Sequence, residues 1–202
     1  MDDQFIKERK RVKSVFNLTS IIYPLIEISL KPLYHKGLNK LKLPENLTII
    51  DFATGTGALA GVLNEYGHTV RGIDFSPKLL KRARKKFPYI QFDQLDLFEL
   101  EVQKTPAVEM VSMGFLLHGL SPKLRKIILR KAAYLAKQYV LIFDYSSRKN
   151  LVVEIIEFLE GSYYHEFIQG DHKQMFRDAG LDIIKEFNVS GNGCCWLCRK
   201  QS

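Results

Sequence analysis

An apolar run, Thr48-Ile49-Ile50-Asp51-Phe52, leads into Ala53-Thr54-Gly55-Thr56-Gly57, and a second acid, Asp74, ends the next apolar run. Carboxylates and glycines at this spacing suit a nucleotide-type cofactor. Glycines let the backbone pass close to a ligand, and a helix starting after the loop turns its free amide ends toward that ligand. Asp74 would then accept from the two hydroxyls of a ribose. Asp96, after the apolar run Tyr89 to Leu95, falls where an adenine amino group needs an acceptor.

Such residues need a frame. From Leu47 onward strand-like runs alternate with amphipathic helical stretches, the pattern of a mostly parallel sheet with helices on both faces. The spacing predicts strands over Leu47 to Phe52, Thr69 to Ile73, Tyr89 to Leu95, Val108 to Met113 and Tyr139 to Asp144. Ser76-Pro77 and Ser121-Pro122 each read as an N-cap followed by proline at the first helical position. Helical stretches over Leu151 to Leu159 and His165 to Ala179 precede two closing strands, Leu181 to Val189 and Cys194 to Arg199. Between those strands Ser190-Gly191-Asn192-Gly193 is a hairpin signal.

The loop spacing, Gly55-x-Gly57-x-x-Ala60 and then Asp74, is tolerable for a dinucleotide as well. Asp51 tilts the choice, because a carboxylate inside the loop would crowd a pyrophosphate but suits the cationic methionine end of S-adenosylmethionine. On these residues the chain resembles the class I S-adenosylmethionine-dependent methyltransferases. Ile50-Asp51-Phe52-Ala53-Thr54-Gly55-Thr56-Gly57 matches their acidic, glycine-rich first motif, with Ala53 in place of the usual first glycine, and Gly72-Ile73-Asp74-Phe75-Ser76-Pro77 matches the second. Val15-Phe16-Asn17 with Tyr23 makes the chain most similar to the quinone-biosynthesis type and its small-molecule relatives.

The resemblance implies a Rossmann-like, seven-stranded, mostly parallel α/β sheet closed by a C-terminal antiparallel hairpin. It implies S-adenosylmethionine as cofactor, held by Asp51, Ala53, Thr54, Gly55, Gly57, Asp74, Phe75, Asp96, Leu97 and Met113. It also implies a small-molecule acceptor, the alternatives being an RNA or protein methyltransferase or a non-catalytic cofactor-binding partner protein. The fourth strand ends Ser112-Met113-Gly114-Phe115 without the Asn/Asp-Pro-Pro-aromatic motif of many adenine and glutamine N-methyltransferases. No Pro-Cys nucleophile of the cytosine-C5 enzymes is present either. Before the fifth strand Leu135-Ala136-Lys137-Gln138-Tyr139 replaces the relatives' Leu-Lys-Pro-Gly-Gly turn.

At 202 residues and 46% hydrophobic, one domain spanning 1–202 is expected. Within it, 1–46 forms an N-terminal helical cover, 47–145 the cofactor-binding core, and 146–202 a substrate-side insertion and the closing strands. A net charge of +8 admits nucleic acid as a partner, but the basic residues are spread along helices as a solvated face rather than gathered in one tract. The three cysteines, Cys194, Cys195 and Cys198, cannot staple a fold and point to a cytoplasmic setting. Cys195-Trp196-Leu197-Cys198 has metal spacing without further ligands, so alternation along a strand explains it better. The charged N-terminus shows no signal peptide, and Leu18 to Leu33 is too broken by prolines and charges to span a bilayer.

Ligands of open α/β sheets bind beyond the carboxyl ends of the strands, which puts His118 and Tyr145 near a transferred methyl group. His118 could take a proton near neutral pH. Phe16 and Tyr23 on the cover, and Tyr163, Tyr164 and His165 in the insertion, are candidate substrate walls. The remaining histidines are isolated and give no metal triad.

Overall fold

A computed structural model describes Glu8, Arg11, residues 23–146 and residues 163–201, with side chains from residue 30 in the longer of these stretches. Phe16 and the helix expected over 151–159 lie outside the described residues, as does the side chain of Tyr23.

The chain runs α1 (Tyr23–Leu41), β1 (Thr48–Phe52), α2 (Ala58–Glu65), β2 (Thr69–Asp74), α3 (Pro77–Lys86), β3 (Gln91–Gln94), β4 (Val108–Gly114), α4 (Pro122–Leu135), β5 (Ala136–Tyr145), α5 (Tyr164–Gln169), α6 (His172–Arg177), β6 (Leu181–Asn188) and β7 (Gly193–Lys200). Short 3-10 turns stand at Val102–Lys104 and Leu117–Gly119. The strands make one sheet in the order β3-β2-β1-β4-β5-β7-β6. All pairs are parallel except β5 with β7 and β6 with β7. The chain steps outward from β1 to β3, then returns to the other side of β1 with β4. That reversal opens a crevice at the carboxyl ends of β1 and β4.

Period-2 alternation sends neighbouring side chains to opposite faces of the sheet. On β7 it sorts Cys194, Trp196 and Cys198 into one core layer and Cys195 and Leu197 into the other. Cys195 and Cys198 therefore lie on opposite faces and cannot grip one ion. Among the described residues no group of histidine, cysteine and acidic side chains could hold a metal. The first layer packs the sheet against α4, α5 and α6, and the second packs it against α1, α2 and α3.

Helix α1 settles on the second face through Tyr34, Leu38 and Leu41. Gly37 is the contact point, because a Cβ there would stand 2.4 Å from Cε1 of Phe143. Midway along the helix Lys31 pairs with Glu65 of α2 at 2.8 Å, and at its C-terminal end Leu41 O accepts from Lys185 Nζ at 2.7 Å.

Three local differences from the sequence reading have physical causes. The helix expected over 165–179 is two helices, since Gly170 ends α5 and Asp171 caps α6 by accepting from Gln174 N. Strand β5 starts at Ala136, directly from α4, and a register shift opposite Val108 and Met110 absorbs the missing turn. Ser76 caps α3 by accepting from Leu79 N, but Ser121 makes no such bond and donates its hydroxyl to Glu8 Oε2 at 2.9 Å.

Candidate functional site

The loop after β1 is shaped by three residues in the left-handed region: Ala53 (φ 52°), Gly55 (φ 57°) and Gly57 (φ 79°). Glycine adopts this region without strain, whereas a side-chain-bearing residue pays on the order of 1–3 kcal/mol. Ala53 carries that strain, which accounts for the glycine usual there. Thr54 N donates to Ile73 O at 3.0 Å and Gly55 N to Asp74 Oδ2 at 2.9 Å, lashing the loop to the end of β2. Ser76 N donates to the other oxygen, Asp74 Oδ1, at 2.8 Å. The Phe75 amide bonds the same carboxylate, and an ionised carboxylate offers about four lone-pair sites, so Asp74 keeps room for a ribose hydroxyl. Burial pushes its carboxyl above the usual range, and these backbone bonds oppose the shift.

Two clefts meet over this loop. The larger, about 610 Å³ including space open to solvent, is walled by Phe75, Leu79, Leu97, Phe98, Phe115, Leu116, Leu120 and Ile128, with Asp74 and Asp96 as its acids. The smaller, about 320 Å³, is lined by Leu30, Tyr34, Asp51, Thr54, Thr56, Ala58 and Leu59. They share Ala53 and Gly114. One ligand lying across that junction would put a nucleoside on Asp74 and Asp96 and an amino-acid end beside Asp51. The hydroxyl of Thr56 is buried in the smaller cleft with no hydrogen-bond partner among the described residues. Such an orphan calls for a ligand's polar group, so the residues present fit S-adenosylmethionine.

Asp51 is the charged element of the smaller cleft. Its Oδ1 accepts from Ser112 Oγ and its Oδ2 from Thr54 Oγ1, both at 2.6 Å. Burial raises its pKa to about 6 against these bonds, with Asp74 adding a further push upward. A cationic ligand prefers the ionised form, so protons compete with it. Affinity for S-adenosylmethionine is expected to be flat above about pH 7 and to fall about tenfold between pH 7 and pH 5, a loss that Asp51→Asn removes in titration calorimetry. Stability runs the other way. A carboxyl raised from 3.8 to about 6 favours the folded state at low pH and loses that contribution as pH rises through about 6. Weaker binding at pH 5 is then no sign of unfolding.

Beyond β4 and β5 the chain builds a second centre. Asp144, fully buried at the end of β5, holds His118 Nδ1 at 2.7 Å and accepts from Leu117 N and Tyr145 N at 2.8 Å each. A carboxylate on Nδ1 favours the tautomer protonated there and leaves Nε2 as the basic atom. The rings of Phe115 and Tyr145 (5.2 Å), His118 and Tyr145 (4.7 Å) and Tyr145 and Tyr164 (5.1 Å) meet edge to face. Glu8 reaches this wall from the N-terminal segment, accepting from the Tyr163 hydroxyl at 3.1 Å, and Arg11 stands over the Tyr163 ring.

Of the residues singled out from sequence, Ala53, Asp74, Phe75, Asp96 and Leu97 line the larger cleft and Asp51, Ala53 and Thr54 the smaller. Gly55 and Gly57 shape the loop but line neither. A Cβ on Gly57 would meet Phe92 at 2.9 Å rather than a ligand. Met113 is buried in the core beside Val111, and Gly114 and Phe115, at and just past the end of β4, line the cleft instead. Tyr164 is buried in the aromatic cluster, Tyr163 is half-buried, and His165 is exposed. Sequence reasoning missed Asp144 and Tyr34. Asp144 was legible as an acid ending an apolar strand, as Asp74 was. Tyr34 carried no local signal, since its place against Gly114 exists only once α1 is docked.

A switch-point crevice with acids ending β2 and following β3, and a third within β1, defines the class of S-adenosylmethionine-dependent methyltransferases. Residues 49–139 match the family model described as Methyltransferase domain, and this chain carries such a domain, of class I. It is 51% identical over 85 residues to the demethylmenaquinone methyltransferase of Chlorobaculum tepidum, covering 40% of this chain and 33% of that one. With the protein of the same name from Chlorobaculum parvum it shares 49% identity over 47 residues, covering 23% and 20%. The match thus spans a third or less of those relatives' length. Magnesium protoporphyrin IX methyltransferase from Synechocystis PCC 6803, solved with bound SAH, shares the fold at a TM-score of 0.66 and 17% identity, covering 98% of this chain and all of that one.

Proposed function

We propose that this protein transfers the methyl group of S-adenosylmethionine to a small, largely apolar or aromatic acceptor, with His118 receiving the proton the acceptor gives up. The observation that carries the reading is the His118–Asp144 pair set among Phe115, Tyr145 and Tyr164 beside the cofactor clefts. The sulfonium supplies an already activated methyl, so the protein's tasks are alignment, exclusion of water and removal of one proton. Asp51, Thr54 and Thr56 would hold the amino-acid end, Asp74 the ribose, and Asp96 with Phe75 and Leu97 the adenine. Fixing the reactants in line is worth about 7–11 kcal/mol, and a positioned base adds about 10²- to 10⁴-fold.

The whole chain acts as one domain in this reading, with residues 1–46 as cover, 47–145 as cofactor core and 146–202 as the substrate side. Contacts of Glu8 with Ser121 and Tyr163 support a cover that reaches the reaction centre. A quinone-class acceptor accords with the names of the curated relatives. A cytoplasmic setting rests on the three buried free thiols.

Radiolabelled S-adenosylmethionine with a fractionated cell extract tests the acceptor class. Label is expected in extractable small molecules, in the apolar fraction. Label in RNA, together with RNA binding that weakens steeply with salt, overturns the small-molecule reading.

A further inference from the structure

Arg125, on α4, is 3% exposed, yet no step above uses it. Taking a guanidinium out of water is costly unless its donors are met. All of its partners are close at hand. Nε donates to Leu117 O at 2.7 Å, Nη1 to Glu166 Oε2 at 2.6 Å, and Nη2 to Tyr163 O at 3.3 Å. Its cation stands 4.9 Å from the centre of the Phe167 ring.

Two of these acceptors are peptide carbonyls from opposite walls of the reaction centre. Leu117 immediately precedes His118, and Tyr163 immediately precedes Tyr164. The carbonyl of Leu117 and the N–H of His118 belong to one planar peptide. Asp144 accepts from Leu117 N at 2.8 Å, while Arg125 takes Leu117 O on the other side of the same residue. The turn that carries His118 is therefore held at both ends by buried charges, one of which also orients its ring.

We propose that Arg125 is a positioning residue for His118, fixing the Leu117 carbonyl and joining the His118 turn to the segment that carries Tyr164. Only an arginine fork can reach the two carbonyls and Glu166 at once, since lysine carries a compact charge without planar donors. The charged and titratable groups around this centre are Asp144 on β5, Arg125 on α4, Tyr163 and Glu166 at the start of α5, His172 on α6, and Glu8 and Arg11 of the N-terminal segment against Tyr163. The inference rests on His118 acting as the base.

The test is a double-mutant cycle with purified full chain, the acceptor found by labelling, and a cofactor titration of each variant. Arg125→Lys is expected to lower kcat on the order of 10- to 100-fold, the range for a misplaced catalytic group. Its affinity for S-adenosylmethionine should stay within about twofold, and in a His118→Ala background the same change should cost no more than about twofold. The acid limb of the pH-rate profile should move in Arg125→Lys and vanish in His118→Ala. Equal loss in both backgrounds, or no loss in either, overturns the inference. Should Arg125→Lys not fold, Glu166→Gln replaces it in the cycle, removing only the outer partner of the guanidinium, with the same pattern expected in smaller measure and additivity again overturning it. A full rate in His118→Ala alone rejects the base reading; a slow His118→Ala with additive Arg125→Lys rejects only Arg125.

Discussion

Replacing Asp74 by alanine is expected to weaken S-adenosylmethionine binding at least a hundredfold in calorimetry while the protein stays folded by circular dichroism. The magnitude follows first from a ribose hydroxyl on an ionised carboxylate, a charge-assisted bond worth about 1.5–3 kcal/mol. The structure adds a second contribution. Asp74 also accepts from Gly55 N and Ser76 N, so its loss leaves buried donors unmet and loosens the loop that carries Ala53. A lowered melting temperature without ligand is part of the expected result, at about 1–3 kcal/mol for each unmet donor. Unchanged affinity, or tighter binding of NAD than of S-adenosylmethionine, would overturn the assignment of this carboxylate to the ribose.

What could be read from sequence follows from range. The sheet was legible because apolar runs, Ser-Pro helix starts and the Gly-Asn hairpin are local signals, and each strand's core face follows from alternation alone. Asp51, Asp74 and Asp96 were legible for the same reason, each standing at or just past an apolar run. Met113 shows the limit. It sits in the right strand but short of the cleft, because where β4 meets the cleft depends on its register against β1, in which Asp51 pairs with Ser112 and Phe52 with Met113. Gly57 shows another, since its missing Cβ makes room for Phe92, a residue from a different strand. Arg125 was invisible among the basic residues of α4, because nothing in its neighbourhood distinguishes a buried guanidinium from Lys123, Lys126 or Arg130. Only docking α4 under the Leu117 turn separates them.

His118→Ala is expected to lower kcat by about 10²- to 10⁴-fold, the contribution of a positioned base, with cofactor affinity unchanged because His118 lines neither cleft. Asp144→Asn should cost nearly as much, for a reason specific to this site. The carboxylate accepts from Leu117 N on one oxygen and faces His118 Nδ1 and Tyr145 N on the other. An amide has one acceptor oxygen, so its NH2 must confront either the Leu117 amide or the imidazole. In the first case the His118 turn shifts; in the second Nδ1 becomes the acceptor, and the proton moves to Nε2, the atom needed as base. Both routes disarm the histidine without removing it, so the two variants combined should be little slower than His118→Ala alone. An acceptor whose nucleophile carries no proton needs no base, and full activity of His118→Ala would assign this pair to structure and leave alignment over the sulfonium as the whole of the protein's chemistry.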